Sequence, residues 1–368
     1  VSERLIVHYD VLGDDVEAVA DALRVEQSIE FPNELAPQWI QDDVVGQVIS
    51  ITRHQGAPSR VVISYALGSV GGEIPQLINV LWGNASMLSG IRVVHIDYPQ
   101  ELLKLFKGPR FGIDGLREFF SAPRRPLAST ALKPMGLSSQ ELANIAYTLA
   151  LEGFDTVKDD HSLANQPWSL WEERVATVAE AVAAANAKSG NNCIYAPSLN
   201  LPAHQILGAA HRAKELGAGS LLMLPGISGW DMMRAVAEDD DIALPIMAHP
   251  SFTGSLVLNP EQGLTHGIVL AQWARLSGAD ITIFPNFGGR FGFSQAQCVS
   301  IAEAARAPLG HLKSIWISPA GGMSIERIDA MIGVYGTDTA CLIGGALHRG
   351  DLGENARQMV STIAAAGS

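Results

Sequence analysis

From about Lys133 to the end of the chain, short apolar runs rich in β-branched residues alternate with longer stretches of helical periodicity. The runs are Ser129–Lys133, Asp155–Asp160, Cys193–Ser198, Ser220–Pro225, Leu244–His249, Asp280–Pro285, Ser314–Ser318 and Ala340–Gly344, eight in all. Between and after them lie Ser139–Leu151, Leu170–Ala187, His204–Leu216, Trp230–Glu238, Gln262–Ser277, Gln295–Ala305, Ile325–Val334 and Leu352–Ala364. A continuous apolar strand is buried on both faces, as in a parallel sheet covered by helices. Eight strand–helix units fit a closed (β/α)8 TIM barrel better than an open doubly wound sheet, which has fewer units and a glycine fingerprint after its first strand. No GxGxxG follows any of these runs.

A barrel takes ~250 residues, so in a chain of 368 about a hundred remain for something else. Arg4–Val11 alternates as a strand, and Val16–Val25 reads as an amphipathic helix. Val48–Arg53 and Arg60–Tyr65 read as two strands joined by a turn-prone stretch, Pro75–Leu88 as a helix and Ile91–Ile96 as a strand. The order β-α-β-β-α-β predicts an α+β ferredoxin-like domain. The expected division is residues 1–110 for that domain and 111–368 for the barrel, with residues 99–125 as the connection.

Hydrophobic residues make up 47% of the chain and charged residues 17%, which supports a large buried core. The net charge of −13 argues against nucleic acid or an anionic membrane as a partner. An anionic substrate must therefore be captured by local features such as backbone amides or a metal. Cys193, Cys298 and Cys341 include no CxxC pair and give neither a disulfide framework nor a zinc signature. No apolar run reaches membrane-spanning length and the first residues do not read as a signal peptide, so a cytoplasmic, reducing location is expected.

Barrel enzymes place their chemistry at the C-terminal ends of the strands. There stand Lys133, the tetrad Lys158-Asp159-Asp160-His161, His249, the segment Asn286 to Arg290, and the pairs Gly321-Gly322 and Gly344-Gly345. A lysine at a buried strand end needs a partner, because burying an ammonium alone costs several kcal/mol. One answer is a plain ion pair with an aspartate. Another is reaction of the neutral amine with CO2 to give a carbamate, an oxygen ligand for Mg2+. Strand alternation puts Lys158 and Asp160 on one face and Asp159 on the other. The glycine pairs follow the seventh and eighth strands, where barrel loops commonly bind phosphate through backbone N–H groups; tight turns are the plainer reading. Lys133 in a partly apolar mouth can lose its proton near neutral pH and act as a base, or simply pair with a carboxylate. His249, alone on an apolar strand, reads as a core residue unless its surroundings say otherwise.

Taken in order, these segments resemble the RuBisCO large-chain superfamily, and specifically its RuBisCO-like (form IV type) members. Lys133-Pro134 with Gly136-Leu137-Ser138 is similar to that family's first-strand lysine motif. Gly153-Phe154-Asp155 through Lys158-Asp159-Asp160, then Asn165-Gln166-Pro167, is similar to its carbamylated-lysine motif. Pro245 to His249, the two glycine pairs, Phe106-Lys107-Gly108-Pro109, Glu26 and Trp82-Gly83-Asn84 match further segments. The resemblance implies Lys158 as a carbamate ligating Mg2+ together with Asp160 and His161. It implies Lys133 as the base, with His249 beside it. Gly321, Gly322, Gly344 and Gly345 become phosphate amides, and Asn286 and Arg290 substrate contacts. Glu26 and Asn84 would reach a neighbouring subunit's site, which implies a homodimer or higher homo-oligomer.

The departures are as informative. His161 replaces the family's glutamate ligand, and imidazole suits Mg2+ less well than carboxylate. Pro250 stands where an arginine follows the histidine, and the sixth loop, Asn286-Phe-Gly-Gly-Arg290, lacks the lysine that supports the incoming carboxylate in true carboxylases. The resemblance therefore implies a metal-stabilised enediolate formed from a phosphorylated sugar-like ketone or oxo acid, in an enolisation, isomerisation or 3-oxo-acid decarboxylation, without CO2 fixation. A non-catalytic sugar-phosphate-binding barrel and a Schiff-base lysine aldolase are the alternative expectations.

Overall fold

The structure, a computed structural model, describes residues 4–366. Strands β1 (Arg4–Val11), β2 (Gln47–Thr52), β3 (Ser59–Ala66) and β4 (Ile91–Asp97) form an antiparallel sheet in the order β4-β1-β3-β2. With helices Val16–Glu26 and Ile74–Trp82 on one face, this is the ferredoxin-like arrangement. In β1 the alternation is strict: Leu5, Val7, Tyr9 and Val11 are buried, and Arg4, Ile6, His8 and Asp10 lie on the open face.

The barrel strands are β5 (Leu127–Leu132), β6 (Thr156–Asp159), β7 (Ile194–Ala196), β8 (Leu221–Met223), β9 (Ile246–Ala248), β11 (Ile281–Pro285), β12 (Trp316–Ala320) and β13 (Ala340–Leu342). They form two parallel four-stranded sheets, β13-β5-β6-β7 and β12-β11-β9-β8. Parallel bridges Ser198–Leu222 and Ile317–Thr339 join the two sheets at both seams and close the barrel. Apolar side chains such as Leu127, Ile194, Leu222, Met247, Ile281 and Trp316 fill it.

Several segments depart from the sequence reading. The stretch read as connection contains a helix, Gly112–Phe119, whose Leu116 packs with Phe120 against the barrel filling and forms its floor. Asp280 ties this floor down: its buried carboxylate accepts from Phe111 N–H at 2.7 Å, Gly112 N–H at 2.9 Å and Ile246 N–H at 3.2 Å. Burial raises its pKa to about 6, against the pull of those same N–H groups. The expected helix Gln262–Ser277 instead begins as a two-residue strand, β10 (Gly263–Leu264), which pairs in parallel with β4 of the N-terminal sheet. Only then does the chain coil, through a π-helical turn at Ile268–Gln272 and a helix at Trp273–Leu276. The helix expected to reach Leu88 stops at Trp82, and a separate 3-10 turn covers Asn84–Met87. Arg92 reinforces the domain junction by donating to the carbonyls of Asn259, Val257 and Leu264.

Two caps fix the ends of loops that face the mouth. Ser138 and Glu141 form a capping box before Ser139–Leu151, and Ser294 and Gln297 form another before Gln295–Arg306. Each N-cap contributes about 0.5–2 kcal/mol and sets where its loop must end. All three cysteines are free and buried. Among the described residues no helix is long and apolar enough to cross a membrane.

Asp159, on the outward face of β6, anchors the helix behind it. It accepts from Arg174 Nε at 3.1 Å, Tyr195 OH at 2.7 Å and Ser198 N–H at 3.0 Å, and both Asp159 and Arg174 are wholly inaccessible. Asp159→Ala leaves a buried guanidinium without its anion. The expected loss is about 3–5 kcal/mol, read as a lower chemical-denaturation midpoint.

Candidate active site

The register between β5 and β6 decides what meets at the mouth. Ala131 lies opposite Lys158 and Leu132 opposite Asp159, so the next residues out, Lys133 and Asp160, stand beside each other just past the strand ends. Lys133 Nζ donates to Asp160 Oδ1 at 2.5 Å. Ser162 Oγ donates to the other oxygen of Asp160 at 2.8 Å, and His161 Nδ1 lies 3.5 Å from Oδ1. Burial pushes the Asp160 carboxyl up, but hydrogen bonds from His161, Lys133 and Ser162 and the Lys133 charge outweigh it. Together they hold the acid well below the usual carboxylate range.

Lys158 is 2% exposed and faces into the same cavity, one strand layer deeper. Its Nζ donates to the carbonyl of Asp159 at 3.0 Å. Burial lowers its pKa to about 8, helped by Lys133 and opposed by Asp160 and Asp159.

His249 stands just past β9, and its ring stacks on that of His161 with centroids 4.6 Å apart and planes 10° apart. Ser251 N–H donates to His249 Nδ1 at 3.2 Å, so in the neutral ring the proton is on Nε2. Burial, with the Lys158 charge, holds the ring's pKa well below the ordinary histidine value. His249 is thus a neutral hydrogen-bond donor next to two amines.

These residues line a cavity of about 830 Å³ that Gly321, Gly322, Gly344 and Gly345 also line. A Cβ on Gly344 would sit 3.2 Å from Lys133 Cε, so the missing side chain leaves the lysine its path to Asp160. Gly321 has φ +88°, and a Cβ there would meet the Phe291 ring at 2.8 Å. Its carbonyl accepts from Arg290 N–H at 3.0 Å, which closes the sixth loop onto the seventh.

One expectation changes here. Asn286 is buried under the sixth loop, where its carbonyl accepts from Tyr335 OH at 2.5 Å and its amide faces Met323 Sδ at 3.2 Å; it does not line the cavity. Arg290 does line it, over the Phe291 ring. Glu26 and Asn84 lie in the N-terminal domain, outside this cavity, and bond to each other, Asn84 Nδ2 donating to Glu26 Oε1 at 2.7 Å. Lining residues that the sequence reading missed are Phe252, Phe291 and Phe293 on the apolar side and Arg349 past the last glycine pair. Phenylalanines in loops just after barrel strands were the available signal.

Whether these groups suit a divalent cation depends on Lys158. With both lysines as ammonium ions, Asp160 is the single anion against two positive charges, and a cation is repelled. With Lys158 as a carbamate, two oxyanions and the His161 ring surround one space, and the donor set fits.

A family model for the catalytic domain of the ribulose bisphosphate carboxylase large chain matches residues 112–290. A 5-methylthioribulose-1-phosphate isomerase of Rhodospirillum rubrum is 36% identical over 100% of this chain and 98% of its own. A 2,3-diketo-5-methylthiopentyl-1-phosphate enolase of Geobacillus kaustophilus is 31% identical over 78% of this chain and 70% of its own. The crystal structure of a Rubisco-like protein from Rhodopseudomonas palustris superposes with a TM-score of 0.90 at 35% identity, covering 100% of this chain and 99% of that one. Fold and site together define a barrel enzyme with two lysines and an aspartate at its mouth. The chain belongs to the RuBisCO large-chain family, in its RuBisCO-like group, whose members include proteins named as isomerases and enolases.

Asp160→Asn removes the charge that balances the two amines. The expected destabilisation at neutral pH is about 1–3 kcal/mol. A carboxyl held below its unfolded value contributes stability above that value, about pH 4, and loses it as pH falls. The gap between wild type and variant should therefore close on acidification, as read from denaturation midpoints across pH.

Proposed function

We propose that this protein enolises a phosphorylated sugar-like ketone, as an isomerase or enolase, and does not fix CO2. The supporting observation is the convergence of Lys133, Asp160, Lys158 and neutral His249 on one cavity that the paired glycines also line. The phosphate lies against Gly321, Gly322, Gly344 and Gly345, whose backbone N–H groups bind its oxygens without a net positive surface. Lys133, once deprotonated, takes the proton from the carbon beside the carbonyl. The C–H electron pair becomes the new double bond, and the carbonyl oxygen takes the negative charge. His249 Nε2–H donates to that oxygen from across the barrel mouth. Return of the proton to the former carbonyl carbon, with the hydroxyl proton of the neighbouring carbon passing to the enolate oxygen, leaves the carbonyl one carbon along and completes an isomerisation.

Lys158 as a carbamate, Asp160 and His161 would hold Mg2+, which supplies positive charge beside the developing oxyanion. Phe252, Phe291, Phe293 and Met323 give the cavity an apolar wall. That wall suits a substrate with an uncharged, thioether-like tail, the kind named for the Rhodospirillum relative. Arg290 binds a hydroxyl or carboxylate in the space left by the absent loop lysine. Glu26 and Asn84 act in the cavity of a second subunit, so the working unit is a homodimer or larger.

With bicarbonate and Mg2+, the enzyme should exchange the α-proton of 5-methylthioribulose 1-phosphate with D2O, followed by NMR. Lys133→Ala should slow that exchange about 100- to 10,000-fold while the melting temperature holds. Undiminished exchange removes Lys133 from the reaction. A carbamate resonance from 13C-bicarbonate should grow as pH rises through about 8, where Lys158 gives up its proton, and be absent from Lys158→Ala. Ribulose bisphosphate should not be carboxylated.

A further inference from the structure

On the open face of the N-terminal sheet, away from the barrel mouth, His8 of β1 lies directly across from His95 of β4. Asp97, two residues on from His95, shares that face and has both rings within reach. His8 Nε2 is 2.9 Å from Asp97 Oδ2, and His95 Nε2 is 3.0 Å from Asp97 Oδ1. The two rings meet edge to face with centroids 5.0 Å apart.

A backbone irregularity creates this cluster. From Ile91 to Val93 the strand alternates with odd-numbered residues buried, and on that phase His95 and Asp97 would point into the core. The pairing of β1 with β4 shifts register between His8 and Tyr9, so that Tyr9 faces Val93 while His8 faces His95. The extra residue, Val94, reverses the phase. Ile96 turns in, and His95 and Asp97 turn out beside His8. Bulges that re-aim side chains in this way are enriched next to functional sites. The neighbouring strand β10 pairs no further than Val93, and the His95 and Asp97 side chains are each about half exposed.

We propose that His8, His95 and Asp97 bind one divalent ion of the zinc class per chain, clamping β1 to β4. One ligand atom from each of the three lies within 4.8 Å of the others. Ligands at ~2.0–2.2 Å around a tetrahedral Zn2+ span such a triangle after small ring rotations, with water in the remaining position. Two imidazoles and one carboxylate select Zn2+, Co2+ or Ni2+ over Mg2+, which prefers all-oxygen ligation. The site is therefore chemically distinct from the barrel mouth and binds without bicarbonate.

The test is titration of the metal-stripped protein with Co2+, read by visible absorption, followed by Zn2+ displacement. Lys158→Ala, which disables the barrel-mouth site, should still bind one ion. His8→Ala/His95→Ala should lose it, and Asp97→Asn should weaken it about tenfold or more. The wild type should also gain melting temperature with Zn2+, and the double variant should not. Crystals soaked in Zn2+ should show an anomalous peak between His8 and His95, a reading that needs no variant. Equal affinity in wild type and double variant, or loss of binding in Lys158→Ala alone, overturns the proposal, as does a soaked crystal without that peak.

Discussion

The contact between Lys133 and Asp160 is set by the backbone before it is set by charge. β5 and β6 are parallel, and their register places these two residues opposite each other one step beyond the last paired strand position. Directly beneath lies Lys158, buried, so one carboxylate answers two amines. Burial, helped by the Lys133 charge, lowers the pKa of the deeper lysine, and the hydrogen bonds to Asp160 keep that carboxylate firmly ionised. An amine near its titration point next to a fixed anion is poised for chemistry in a way that a neutralised pair is not. The outward residue between them, Asp159, is fully engaged with Arg174 and Tyr195. Three successive charges on one short strand thus have three separate duties, distributed by alternation alone.

The barrel and its mouth were legible because both depend on local rules. Buried parallel strands read as apolar runs, capped helices announce their starts, and reactive groups in barrels sit after strands. The helix Ser139–Leu151 and strand Arg4–Val11 were readable to the residue. The floor helix Gly112–Phe119 was not, because it is only eight residues long, contains two glycines, and owes its burial to a barrel assembled later in the chain. β10 was hidden for a related reason: two residues form a strand only because β4, about 170 positions earlier, offers an edge.

Side-chain destinations were the other blind spot. Asn286 sits where a substrate contact belongs by sequence position, yet the Tyr335 hydroxyl captures it beneath the loop. His249 has the opposite history. Nothing in an apolar strand distinguishes it from a packed histidine, and its role comes from Ser251 fixing the tautomer and from the two amines nearby. The phenylalanines that shape the cavity stand in loops after two different strands, and only folding brings them together as a wall.

β10 carries a consequence for how the molecule can be divided. A strand from within the barrel sequence completes the edge of the N-terminal sheet, and Arg92 fastens it from the other side. Cutting the polypeptide near residue 110 would strip that cover from β4 and expose a row of unsatisfied backbone groups, a template for intermolecular pairing. The excised barrel would in turn keep a segment shaped for a partner it no longer had. Two domains by topology, the chain is a single piece for purposes of expression, truncation or fusion.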